Sequence, residues 1–365
     1  MQIEPIPTLM KLESILSELR NKVPAWRPMR ALLKANGFPV SSGWDTTISK
    51  ILKHQELETE DVPSVEILEK FLTQLIIVND KTVSVYQDGV DLEELNTQLS
   101  ELVPEKTPFS EVFPYSVSKQ RLLDCDEEPT LTKTIVKDDG CYLIFCCKRT
   151  FVERIQLDSD YFESIGKEVL SGFDEIIGKR TITRQFFDVV HINPATNQID
   201  IRIDYGKGIN AKEIQIAMER VAGKFSQIAH DLAGVKVCNI DANLFKAVYN
   251  LYDSDIGRVC EIAFECNNES VHHERYRKER KDIREETFHV GGKGAVGDIN
   301  PYRLAVAWDL KYRDEGVTPE LMLAGRRAML REAFPLLRVA FIENCLTLGH
   351  FNFILDKLIT NSNAE

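Results

Sequence analysis

The chain has 365 residues, 43% hydrophobic and 28% charged, with a formal net charge of −12, the profile of an ordinary soluble protein with room for two or three domains. An acidic chain repels nucleic acid and anionic membrane on average, so binding either one requires a local basic patch. No apolar run approaches the ~18 residues that span a bilayer. Met1 to Pro5 shows no basic region followed by an apolar one, so no membrane insertion and no signal peptide are expected, and a cytoplasmic location is.

In chain order, Leu9, Leu12, Ile15, Leu16 and Leu19 recur at helical spacing, which predicts a helix over 8–22 that Pro24 ends. A second helix runs from Met29 to Asn36, with Gly37 as C-cap, and 37–43 reads as a turn. A third spans Trp44 to Gln55, and a fourth Ser64 to Ile77 with Ser64 as N-cap. Lys81 to Gln87 reads as a short strand and Asp91 to Leu102 as a helix. Residues 1–103 are therefore expected to form a mostly helical module. The second and third helices invite a helix-turn-helix reading, but their turn is long and Lys50, Lys53 and His54 make a thin basic face. A module that meets a protein partner fits better.

Pro104, Pro108 and Pro114 and the acidic run Asp124 to Glu128 argue against regular structure and place a linker over 104–139. From Gly140 the texture turns to β. Cys141 to Cys147 is a continuous apolar run, Thr150 to Leu157 alternates less cleanly, and Asp160 to Ile177 has helical spacing. Phe186 to Ile192 and Gln198 to Tyr205 form a hairpin. Its second strand alternates Ile199, Ile201 and Ile203 with Asp200, Arg202 and Asp204, so one face is expected buried and one wet.

Asn210 and Glu213 open the clearest helix, which ends at Gly234. Val235 to Ile240 reads as a strand, Leu244 to Tyr252 as a helix, and Cys260 to Cys266 and Arg303 to Leu310 as strands. Pro319 to Leu358 reads as a helical tail capped by Thr318, with an apolar face wide enough for the sheet or for a second copy in a homo-oligomer. The expected fold class is α+β: a helical N-terminal module, then a domain over 140–365 with a mixed or antiparallel sheet, packed helices and a helical C-terminus.

Three constellations carry candidate chemistry. His272 to Arg284 is rich in cations, and on a helix Arg277, Arg280, Lys281 and Arg284 share one face that can track phosphates. With Arg275, Lys278 and Lys293 they form the candidate site for nucleic acid or another polyanion, although Glu274/Lys278 and Arg275/Glu279 can pair internally. The run Val290 to Gly297 has the glycines of a phosphate-cradling loop without the P-loop spacing, and a flexible loop is expected there. Asp298, then Asp309 and Lys311 at period two on a strand, is an arrangement that metal-dependent nucleases use, with a divalent metal held by the carboxylates.

The eight cysteines form no Cys-x-x-Cys pair and no Cys/His ligand spacing, which predicts reduced thiols and no metal centre. His272 and His273 diverge on a strand and read as surface residues. The leading expectation is a non-enzymatic, two-module binding protein that takes nucleic acid or a polyanion through the 275–293 segment and needs no cofactor. The metal-dependent nuclease and a structural subunit of an assembly are the alternatives. The layout suggests accessory components of bacterial antiviral systems, with no residue behind that suggestion.

Overall fold

The computed structural model describes residues 8–56, 64–157, 175–204, 209–276 and 280–364. Four helices open the chain: α1 (Thr8–Lys22), α2 (Trp26–Ala35), α3 (Trp44–Glu56) and α4 (Val65–Val78). The leucine periodicity makes α1 a helix by burying one face: Leu12, Ile15, Leu16 and Leu19 are wholly buried, in one core with Leu68, Leu72 and Leu75 of α4. Then follow β1 (Lys81–Tyr86), α5 (Glu93–Ser100), α6 (Pro108–Val112), α7 (Lys119–Leu123) and β2 (Thr130–Lys137). The 104–139 stretch thus carries two short helices and a strand, against the expectation of no regular element. Pro108 occupies the first turn of α6, where a missing N–H costs nothing, and Thr107 and Ser118 cap the two helices.

The chain continues through β3 (Gly140–Gln156), β4 (Ile177–Asn193), β5 (Gln198–Asp204), α8 (Ala211–Ala233), α9 (Phe245–Asp253), β6 (Arg258–Cys266), β7 (Val271–Arg275) and α10 (Thr287–Val296). It ends with β8 (Ile299–Ala307), β9 (Leu310–Tyr312), β10 (Glu315–Val317), β11 (Glu320–Ala324), β12 (Ala340–Glu343) and α11 (Leu348–Asn363). Ten strands make one antiparallel sheet in the order β2-β3-β4-β5-β1-β12-β11-β8-β6-β7. The fold is α+β, with helices ahead of the sheet and a helix at the C-terminus. β1, from the first hundred residues, lies between β5 and β12 and hydrogen-bonds to both.

Several expectations are corrected. The stretch 319–358 is not one helix: β11, a 3-10 turn at Arg327–Arg331 and β12 precede α11. Leu321 and Leu323 are buried while Met322 between them is only half-buried, a strand alternation that a leucine-rich stretch disguises as a helix. Residues 235–240 are not a strand. The Asp88 carboxylate accepts the backbone N–H groups of Cys238, Asn239 and Ile240 at 2.5, 2.8 and 2.8 Å, and so takes the donors that a strand would offer a neighbour. Within the expected helix over 160–177, residues 160–174 lie outside the described ones, and Ile177 opens β4.

The polar face of β5 is not wet. Asp200 and Arg202 are 1% and 0% exposed. They are tolerable there because they satisfy each other. Arg202 Nε donates to Asp200 Oδ1 at 2.5 Å and His191 Nδ1 donates to Asp200 Oδ2 at 2.7 Å. The guanidinium lies 4.0 Å from the Phe351 ring centre of α11.

Among the described residues, no helix is long and apolar enough to cross a membrane. The eight cysteines are free thiols, seven of them buried.

Candidate nucleic-acid interface

The partners of β3 and β4 stop before those two strands do. β2 pairs with β3 as far as Thr130↔Cys146, and β5 with β4 as far as Arg202↔Val189. Beyond those points β3 and β4 pair, among the described residues, only with each other, from Lys148↔Gln185 to Gln156↔Ile177. The result is a two-stranded ribbon running past the sheet. Thr150, Val152, Thr181, Ile182 and Thr183 supply the β-branched side chains that hold such a strand extended.

This ribbon concentrates positive charge: Lys148, Arg149, Arg154, Lys179, Arg180 and Arg184 against one carboxylate, Glu153, in a chain whose net charge is −12. Directly paired residues share a face. One face carries Arg149, Phe151 and Glu153 with Arg184, Ile182 and Arg180. It turns toward α8, where Cys147, Phe151 and Phe186 are buried against Ile209. A cavity of about 210 Å³ lies there, lined by Arg149, Phe151, Glu213 and Arg220 among others.

The opposite face carries Lys148, Thr150, Val152, Arg154 and Gln156 with Gln185, Thr183, Thr181, Lys179 and Ile177, and has no carboxylate. Thr150, Val152, Arg154, Gln156, Ile177, Lys179 and Thr181 on it are exposed.

The cations divide into anchors and free ends. At the root of the ribbon, Arg149 is bonded to the fully buried Asp188 and lies 4.7 Å from the Phe186 ring centre. Asp188 also accepts the Asp204 N–H at 2.9 Å. Lys148 donates to the Leu123 carbonyl at 2.7 Å, and Arg180 pairs with Glu153 at 2.6 Å. Arg184 lies 5.7 Å from the Phe151 ring centre and keeps its edge toward solvent. Among the described residues, neither Arg154 nor Lys179 has an ion-pair partner.

Of the residues singled out in the sequence, the described ones lie elsewhere, and Arg275, Arg280, Arg284 and Asp309 are in ion pairs. Arg277 and Lys278 are outside the described residues. The described flanks of that stripe are not helical: Arg275 ends β7, Arg280 and Lys281 lie in irregular chain, and Arg284 sits in a 3-10 turn. Arg275 approaches Glu261 at 3.1 Å, and Arg280 approaches Asp309 at 3.6 Å. Arg284 is a strut. It grips Asp282 and donates to the carbonyls of Ser254 and Gly257, the latter at 2.6 Å.

The glycine-rich run is not a flexible loop but forms most of α10, because Glu286 caps it by accepting the His289 N–H at 2.9 Å. Tyr252 then donates to His289 Nε2 at 2.9 Å and His289 Nδ1 to Glu274 at 2.8 Å, which pins α10 to β7.

The structure does bring Arg284, Lys293 and Asp298 to one cleft of about 890 Å³, beside α10. Asp253, Asp255, Asp282 and Glu285 line it too, so carboxylates outnumber cations there. Lys293 lies 4.8 Å from the ring centre of Tyr252. Asp298 is exposed at this cleft, whereas Asp309 faces Arg258 and Arg280 at 3.9 and 3.6 Å. The strand expected over 303–310 ends at Ala307, so Asp309 lies between β8 and β9 and Lys311 belongs to the separate β9–β10 pair. Among the described residues, no group of three or more His, Cys, Asp or Glu is arranged to hold a metal ion.

Sequence reasoning passed over the ribbon because its cations sit in two stretches about thirty residues apart, each too short to stand out. The one available signal was the weaker alternation after Thr150, where Lys148, Thr150, Val152, Arg154 and Gln156 fall on one side of the strand at period two. Comparison of the chain with models of known protein families and with curated proteins finds no match.

Proposed function

We propose that the chain is a non-enzymatic nucleic-acid-binding protein and that the β3–β4 ribbon is its contact surface. The observation that carries this reading is the ribbon face with Arg154 and Lys179 and no carboxylate, on a molecule otherwise rich in them. Binding of a polyanion without sequence reading is mainly charge neutralisation and counterion release. The exposed Thr150, Thr181 and Gln156 add neutral donors of the kind that position a phosphate backbone. The 275–293 segment contributes less in this reading, because Arg275, Arg280 and Arg284 there are matched by Glu261, Asp309 and Asp282.

The test is the affinity of the full chain for a labelled DNA, by fluorescence anisotropy, with Arg154 and Lys179 changed together to Glu. A loss of at least tenfold with an unchanged unfolding midpoint supports the reading. Unchanged affinity refutes it.

A further inference from the structure

We infer that the ligand of the ribbon is B-form DNA duplex, entered through the major groove, rather than duplex RNA or a single strand. This inference rests on the reading of the ribbon as the nucleic-acid contact and specifies which polymer fits it. Three observations point the same way.

The first is shape. The major groove of B-DNA is about 12 Å wide and admits a two-stranded β-ribbon, whereas the major groove of A-form RNA is too narrow for side chains to read. Among the described residues, no third strand flanks β3 and β4 from Lys148↔Gln185 outward. At a rise of about 3.3 Å per residue this unflanked length is roughly 30 Å, close to one turn of B-DNA. Sheet of greater width would straddle the groove instead of entering it.

The second is that the described part of the ribbon presents no stacking platform. Proteins that hold single strands lay successive bases on exposed aromatic rings. Among the described residues, the aromatic ones in and next to the ribbon are Phe151 and Phe186, 4% and 5% exposed, both on the face turned toward α8. Among the described residues, the open face has cations, hydroxyls, amides and aliphatic groups and no ring.

The third is the placement of apolar groups on that face. Val152 and Ile177 are 53% and 51% exposed, amid Thr150, Thr181, Arg154 and Lys179. Exposed aliphatic side chains between cations suit the thymine C5-methyl groups that line the DNA major groove, while flanking cations reach phosphates on either side. RNA offers no such methyl in uracil.

The experiment compares the full chain, at one fixed salt concentration, on a DNA duplex, an RNA duplex of matching sequence and each DNA strand alone. It adds competition on the DNA duplex by a major-groove ligand (methyl green) and a minor-groove ligand (netropsin). The expected result is at least tenfold tighter binding to the DNA duplex, displaced by methyl green and not by netropsin. Equal or tighter binding of the RNA duplex or the single strands overturns the inference, as does displacement by netropsin alone. In those cases loss of binding in the Arg154→Glu/Lys179→Glu variant keeps the ribbon as the contact surface. No binding to any of the polymers overturns both.

Discussion

Arg154 and Lys179 stand directly opposite each other across β3 and β4, and their side chains share the open face of the ribbon. Like charges placed this way repel and weaken a strand pair. Polyanion binding would offset the cost, so binding and stability should respond in opposite directions. Arg154→Gln and Lys179→Gln are each expected to stabilise the fold by about 0.2–1 kcal/mol in urea unfolding, and each should weaken DNA binding.

The buried Asp200–Arg202 pair makes the opposite prediction for the sheet interior. Burial alone would raise the Asp200 carboxyl, but the Arg202 and His191 charges and their hydrogen bonds outweigh it and hold it down to about 2. A group depressed in the folded state contributes stability above its unfolded pKa of about 3.9, and that contribution is lost as pH falls toward 2. Asp200→Ala strands a buried guanidinium and should cost about 3–5 kcal/mol. Unfolding of the native protein should ease steeply between pH 4 and pH 2, and the variant should lack that part of the acid dependence.

Glu343 gives the reverse dependence. It pairs across β12 and β11 with Glu320. Burial first, then the Asp80 and Glu320 charges, push its carboxyl up to about 7, against a smaller opposing effect of Arg275. The folded state therefore favours the protonated acid. Stability from this group is complete below the ordinary glutamate pKa of about 4.3 and is lost as pH rises through about 7. Glu343→Gln should match the native protein at pH 4 and exceed it at pH 8 in thermal unfolding midpoint. A variant less stable at pH 8 would contradict this account.

Arg284 separates a structural cation from a binding one. Its guanidinium joins Asp282 to the carbonyls of Ser254 and Gly257. Arg284→Ala leaves partly buried acceptors without their donor and should destabilise the fold by about 1–3 kcal/mol. DNA affinity of the folded variant should stay within about twofold of native, a factor worth under half a kcal/mol.

The sequence made the fold class and the long periodic elements legible. The leucines of α1, the Asn210–Glu213 box of α8 and the isoleucine alternation of β5 each specify their element through side chains a few residues apart. What depended on distant pairing stayed hidden. Asp200 and Arg202 read as a wet face because α11, which covers them with Phe351, arrives about 150 residues later. The same holds for charge. The 275–284 cations form a dense local run, but the counter-ions of Arg275 and Arg280, Glu261 and Asp309, come from β6 and from the turn after β8. The ribbon cations are sparse locally and converge only through the β3–β4 register.

The most direct test of the ribbon as a polyanion contact is the salt dependence of DNA binding. For the native chain and for Arg154→Gln/Lys179→Gln, the logarithm of the binding constant is measured against the logarithm of salt concentration. Each phosphate contact contributes about 0.9 to the slope, so removing two should flatten it by about 1.8. Parallel lines of equal slope would show that these side chains do not touch the phosphate backbone, and would contradict the account.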